Sequence, residues 1–302
     1  MAKTYRELSA EQAQHFLDKG YVVIEQAFTR EAAEQYTSRA WDRLGYKADD
    51  PSTWEQPIIH MPTLNRFSIK EFAPRAWNAM SDLLGGEDRI NPERAQWGDA
   101  FILNLKLGAD EPYREPSATS GGWHNDGDFF RHFLDSPEQG LLTIICWSDI
   151  LPQSGGTFVA TDSVPLVARH LAQHPEGIRP GRESPISTGS HLIGECKEFM
   201  EITGNTGDVV LLHPFILHAS SQNPSGRPRF ITNPTIILNE PMNFNRENLD
   251  DHSLVEQAVL NALGMERFDF QPTHPREMIE PERVRRQKAM LEAEKARLGL
   301  EQ

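Results

Sequence analysis

Cysteine is scarce. Cys146 and Cys196 are the only two among 302 residues, too few for a disulfide framework, and Cys146 sits in an apolar run where a buried thiol is expected. That usage fits a reducing, cytoplasmic setting. Basic charge is also short: 30 Lys and Arg face 44 Asp and Glu, a formal charge of -14, which repels polyanions and argues against a nucleic-acid partner. No apolar run approaches the roughly 18 residues needed to cross a bilayer. The opening Met1–Glu7 has no apolar leader core, so neither a membrane span nor an export signal is expected. A glycine-rich phosphate loop and an internal repeat are missing as well, which leaves no sequence sign of a nucleotide-binding α/β sheet or a solenoid.

What is present is organised around Gly122-Trp123-His124-Asn125-Asp126-Gly127-Asp128-Phe129-Phe130. If this stretch is extended, His124 and Asp126 share one face, because side chains alternate with period two. An imidazole and a carboxylate placed so fill two adjacent corners of an octahedral metal. A second imidazole would complete the two-His, one-carboxylate face that leaves open positions on iron(II). The pair alone also fits a surface histidine beside a turn aspartate.

The rest of the chain reads as short elements. Ser9 with Gln12 makes a capping box for a helix over Glu11–Lys19 that Gly20 stops. Tyr21–Ile24 is a strand, and Thr29 caps a second helix running towards Trp41. Prolines break Tyr46–Arg94 into covering structure, with a helix over Ala73–Leu84. From Gly98 strands dominate: Ala100–Leu107, Leu141–Trp147, a strand beginning at Thr157, Val209–Leu212, Arg227–Thr232 and Pro234–Leu238. Short strands between turns point to a β sandwich or barrel with flanking helices, a mainly β, α+β chain. The looser region Ser163–Lys197 holds His170, His174 and His191, read as surface histidines. Two helices close the chain, over Ser253–Leu263 and Pro281–Leu298; the latter carries Val284, Leu291 and Leu298 at seven-residue spacing, either a face lying on the domain or a homodimer seam. The length fits one domain over 1–302, with its β core at about 98–240.

Three separated pieces now agree. His124-Asn125-Asp126, the strand ending Cys146-Trp147-Ser148 with the turn Ser154-Gly155-Gly156, and Gly207-Asp208-Val209-Val210 leading through His213-Pro214 to His218 and Arg229 together resemble the phytanoyl-CoA dioxygenase family of iron(II)- and 2-oxoglutarate-dependent oxygenases. The resemblance covers about Tyr21 to Leu238. It implies a double-stranded β-helix, the cupin-like jelly roll, with His124, Asp126 and His218 as iron ligands. It implies that Arg229, eleven residues after His218, pairs with the far carboxylate of 2-oxoglutarate, and that Ser220, Trp147, Asn104 and Thr157 line the same pocket. His213, followed by Pro214, then becomes a packing histidine. The implied reaction consumes O2 and 2-oxoglutarate, gives succinate and CO2, and is expected to respond to ascorbate. Related halogenases have a small residue where this chain has Asp126, so hydroxylation, desaturation or ring formation of a small molecule is expected. An acyl-CoA substrate is the alternative within the class. A zinc-type hydrolase and a non-catalytic metal-binding jelly roll are the alternatives outside it. Phe129, Phe130, Arg131 and His132 either line a substrate chamber or pack the barrel.

Overall fold

The β-branched runs form strands and the capped segments form helices in a computed structural model that describes residues 4–181 and 184–300. Met1–Lys3, part of the stretch read for a leader, lie outside the described residues. The strands are β1 Tyr21–Ile24, β2 Ile58–His60, β3 Arg66–Ser68, β4 Gln96–Gly98, β5 Ile102–Asn104, β6 Leu141–Cys146, β7 Thr157–Ala160, β8 Phe199–Ile202, β9 Val209–Leu212, β10 Leu217–Ser220, β11 Arg229–Thr232 and β12 Thr235–Ile236. The helices are α1 Ala10–Lys19, α2 Arg30–Thr37, α3 Ala40–Leu44, α4 Ile69–Phe72, α5 Pro74–Leu84, α6 Val164–Ala172, α7 Leu254–Leu263 and α8 Glu282–Leu298.

All pairings are antiparallel. A large sheet runs β1-β9-β6-β11-β5-β2 with β12 beside β6, and a small sheet runs β10-β7-β8. Along the chain β6 lies in the large sheet, β7 and β8 in the small one, β9 in the large, β10 in the small and β11 in the large again. This crossing back and forth between two facing sheets is the jelly roll, and β6, β7, β9 and β11 are buried along their whole length because both faces are covered. Helices α1, α5 and α7 pack around β1 and cover that end of the large sheet.

Local signals set most boundaries. Ser9 and Gln12 form the reciprocal capping box, and Gly20 closes α1 at φ 74. Ser253 and Glu256 do the same for α7, which Gly264 ends. Three expectations are corrected. The helix from Thr29 breaks in two around Ser38–Arg39. The strand expected over Ala100–Leu107 is only Ile102–Asn104, because Leu105 and Lys106 donate instead to the Pro57 carbonyl. The loose region contains α6, whose Pro165 stands in the first turn, where its missing N–H costs nothing. Helix α8 is fixed less by its sparse apolar positions than by Glu294, buried against Arg43, and by Arg283 on Asp128.

Candidate metal centre

His124 and His218 lie directly opposite one another. Each backbone N–H donates to the other's carbonyl, at 3.0 and 2.9 Å, and the ring centroids are 4.4 Å apart. The bridge is isolated, so no strand ladder runs through His124–Asp126. Gly122 at φ 75 and Gly127 at φ 117 bend the chain on either side, a conformation that glycine adopts without a Cβ penalty. The bend, not strand alternation, delivers Asp126: its Oδ1 is 3.5 Å from His124 Nε2 and 3.6 Å from His218 Nε2. One donor atom from each residue falls within 4.8 Å of the others, the one such group among the described residues.

The surroundings aim these donors. His124 Nδ1 is 2.8 Å from the Gly122 carbonyl and His218 Nδ1 is 3.2 Å from the Ile216 carbonyl. A ring nitrogen facing a carbonyl carries the proton, which leaves both Nε2 lone pairs free to coordinate. Asn233 Nδ2 donates to Asp126 Oδ2 at 2.9 Å, so Oδ1 remains for a metal. Burial of the Asp126 carboxyl works against ionisation, but attraction to His218 and the contacts with both imidazoles outweigh it and hold it well below the usual range. Burial likewise opposes protonation of His124, and Asp126 reverses the sign. A carboxylate facing two oriented imidazoles fits a divalent metal.

The group opens into a cavity of about 1040 Å³. Arg229 also lines it and is only 1% exposed. Its Nε donates to the Gly155 carbonyl at 2.5 Å and its Nη1 to the Ile102 carbonyl at 3.2 Å, while Nη2 is buried without a partner. Gly155 is at φ 81, and a Cβ there would sit 2.8 Å from Asn104 Nδ2, so glycine lets this carbonyl reach the guanidinium. No acid pairs with Arg229 among the described residues, and burial lowers its pKa to about 10. A buried cation with one unused donor is able to receive an anion.

Other expected pocket residues divide. Thr157 and Ser220 are cross-strand partners on β7 and β10, and both line the cavity. Trp147 does not. Leu142 and Ile144 face the cavity, so one step beyond Cys146 the alternation turns Trp147 outward. There its Nε1 donates to Thr232 at 2.9 Å and its ring packs among Phe28, Tyr36, Phe72 and Phe101. Asn104 is fully buried behind Arg229: its side chain joins the Ser221 carbonyl and the Leu107 N–H, bracing the loop instead of meeting the cavity. His213 is a packing residue, hydrogen-bonded to the Val255 carbonyl and the Phe215 N–H. Phe129 and His132 reach the cavity, whereas Phe130 is core and Arg131 pairs with Glu277. Asn233 escaped the sequence reading, yet alternation from Arg229 through Ile231 puts it on the cavity face.

A jelly roll carrying two imidazoles, one carboxylate and a buried unpaired arginine in one cavity defines a non-haem iron oxygenase of the keto-acid-dependent class. The chain belongs to the phytanoyl-CoA dioxygenase family, described as Phytanoyl-CoA dioxygenase (PhyH), whose sequence profile matches residues 16–231, more than two thirds of its length. It is an iron(II)- and 2-oxoglutarate-dependent dioxygenase. No curated protein matches the sequence. Among solved structures it resembles EctD from S. alaskensis with 2-oxoglutarate and 5-hydroxyectoine, at 20% identity over 80% of this chain and 79% of EctD, TM-score 0.45. The epimerase SnoN in complex with Fe3+, alpha ketoglutarate and nogalamycin RO matches at 14% identity over 75% of this chain and 82% of SnoN, TM-score 0.45. A hypothetical protein from Escherichia coli matches at 16% identity over 85% and 82%, TM-score 0.48.

Proposed function

We propose that a single domain holds iron(II) on His124, Asp126 and His218, binds the far carboxylate of 2-oxoglutarate at Arg229, and hydroxylates a small organic molecule. The observation that carries this reading is the buried Arg229 Nη2, which has no partner and shares one cavity with the three donors. Iron(II) with the keto acid and O2 supplies oxidising power, with succinate and CO2 as co-products. The chain's own part is placement. The carbonyls of Gly122 and Ile216 fix both imidazole tautomers, and Asn233 fixes the carboxylate. Leu142 and Ile144 on β6 give the cavity apolar walls and Ile231 on β11 continues them towards the Arg229 end, which limits competing water. Thr157 and Ser220 offer hydroxyls at the same end. With Asp126 present the protein face is complete, which favours oxygen insertion over halogenation. A hydrolase would have no use for Arg229.

No helix among the described residues is long and apolar enough to cross a membrane. The two cysteines, both buried and unbridged, support a cytoplasmic enzyme. The contacts of α8 with Arg43 and Asp128 of its own chain support a helix lying on the domain over a homodimer seam.

The test is anaerobic iron binding and the visible chelate band with 2-oxoglutarate, followed by succinate yield with and without O2. His218→Ala is expected to lose both iron and the band, and His213→Ala to keep both. Equal succinate with and without O2, or normal iron content in His218→Ala, would overturn the reading.

A further inference from the structure

Beyond the metal donors and Arg229, the cavity changes character. Arg66, Arg179 and Arg283 line it, and Asp128 is the one acid beside Asp126 among the described lining residues. Asp128 is taken up by Arg283 through paired contacts at 2.6 Å. Glu277 is shared between Arg179 at 2.6 Å and Arg131 at 3.2 Å. Arg66 makes no ion pair among the described residues and is exposed at the cavity. Once the metal offsets Asp126 and the co-substrate offsets Arg229, positive charge is left over. On a chain of formal charge -14, such a local excess is a selective feature of the cavity and not of the surface at large.

Another part of the lining is polar. Ser187, Thr188 and Ser190 face the cavity, and Thr188 donates to Asn125 Oδ1 at 2.8 Å. Asn125 Nδ2 is buried and unpartnered at the cavity wall, an amide donor ready for an acceptor. Desolvation at the cavity wall, with smaller help from the charges of Arg229 and Arg283 and against Asp126, holds the His60 imidazole below its ordinary pKa. An acyl-chain tunnel would line this end with apolar side chains.

We infer that the substrate is a small hydrophilic molecule with one anionic group, a carboxylate or a phosphate, received by Arg66 and Arg179, with Asn125 donating to a neutral oxygen on its body. The inference rests on the oxygenase reading of the same cavity.

Protein loaded with iron(II) and 2-oxoglutarate under anaerobic conditions would be titrated calorimetrically with four probes that vary one feature. These are glucose 6-phosphate, glucuronate, neutral glucose and decanoyl-CoA. Binding of either sugar anion at millimolar concentration and not of glucose is expected, and the preferred anion separates phosphate from carboxylate recognition. Arg66→Gln/Arg179→Gln should weaken that binding by at least about fivefold, since exposed charge contacts are individually modest. Lys70→Gln/Lys288→Gln, which makes the same charge change at exposed sites outside the cavity, should leave it unchanged. Equal binding of glucose, no response to either anion, tighter binding of decanoyl-CoA, or an anion response untouched in the double arginine variant would overturn the inference. The chelate band, recorded before each titration, reports separately on the oxygenase reading: its absence beside intact anion binding would remove that reading alone.

Discussion

Arg229→Lys tests the co-substrate site most directly, because it keeps the charge and removes the geometry. The guanidinium spends Nε and Nη1 on the carbonyls of Gly155 and Ile102 and keeps Nη2 in reserve. Lysine has one nitrogen at the end of a flexible stem, which cannot face two carbonyls and a carboxylate in the same plane. At least one hydrogen bond to a charged group is therefore lost, worth about 1.5–3 kcal/mol. Since each 1.4 kcal/mol is about a factor of ten, the Kd for 2-oxoglutarate should rise by roughly tenfold to 150-fold. Iron binding should stay nearly intact, because Arg229 makes no hydrogen bond or ion pair with His124, Asp126 or His218. An anaerobic titration of the iron-loaded variant with 2-oxoglutarate, read at the chelate band, gives the Kd, and metal analysis gives the iron content. A Kd within about threefold of the parent protein, or iron lost in parallel with the co-substrate, would refute the assignment of the unused donor to the carboxylate.

Two further outcomes follow from neighbours of the site and core. Asn233→Ala removes the donor on Asp126 Oδ2 and should lower iron(II) affinity by about 10–100-fold, the usual cost of losing such support; calorimetric titration under argon reads it, and unchanged affinity would mean that the carboxylate is positioned without it. His213 gives a pH signature. Burial lowers its folded pKa to about 3, while the unfolded chain protonates near 6.5, so the unfolded state binds the extra proton and stability falls as pH drops below about 6.5. That loss reaches about 2 kcal/mol between pH 7 and pH 5 from this one group, and His213→Gln should flatten the pH dependence of denaturant unfolding by that amount; an unchanged slope would show that the imidazole is not held neutral.

Much of this arrangement was legible from local chemistry. Helix starts were readable where a side chain answers a backbone N–H within three residues, as with Ser9 and Thr29, because such signals need no knowledge of the tertiary fold. His124, Asp126, His218 and Arg229 were legible only jointly, through their order and spacing, since no one of them is unusual by itself. The misses have other causes. Trp147 faces away from the cavity by one residue of strand alternation. Asn104 shares a strand face with Ile102 but spends its side chain on the Ser221 carbonyl and the Leu107 N–H, long-range and loop contacts that no spacing reveals. Asp126 comes to the same side as His124, as the two-residue spacing suggested, but within a glycine-bounded bend and not a continuous strand. Helix α8 carries too few apolar residues for its placement to be read, because buried charge on Glu294 and Arg43, far apart in sequence, does the anchoring.

Arg43 shows why the state of Arg229 is informative. Both guanidinium groups are buried, at 3% and 1% exposure, so both carry the same cost of leaving water. Arg43 recovers it fully inside the chain: it contacts Glu294 through Nε, meets Asp99 Oδ2 at 3.1 Å, and donates Nη1 and Nη2 to the carbonyls of Asp99 and Pro62. That is a structural cation, tying α8 and the Asp99 turn to α3. Arg229 has two carbonyls, no acid among the described residues and an idle Nη2, so the two hydrogen bonds recover only part of the cost. If burial were the only purpose of the position, a hydrophobic residue on β11 would be at least as stable there. An anion that entered the cavity and took the unused donor would resolve the imbalance, which is the energetic ground for the proposed role of the arginine as a receptor.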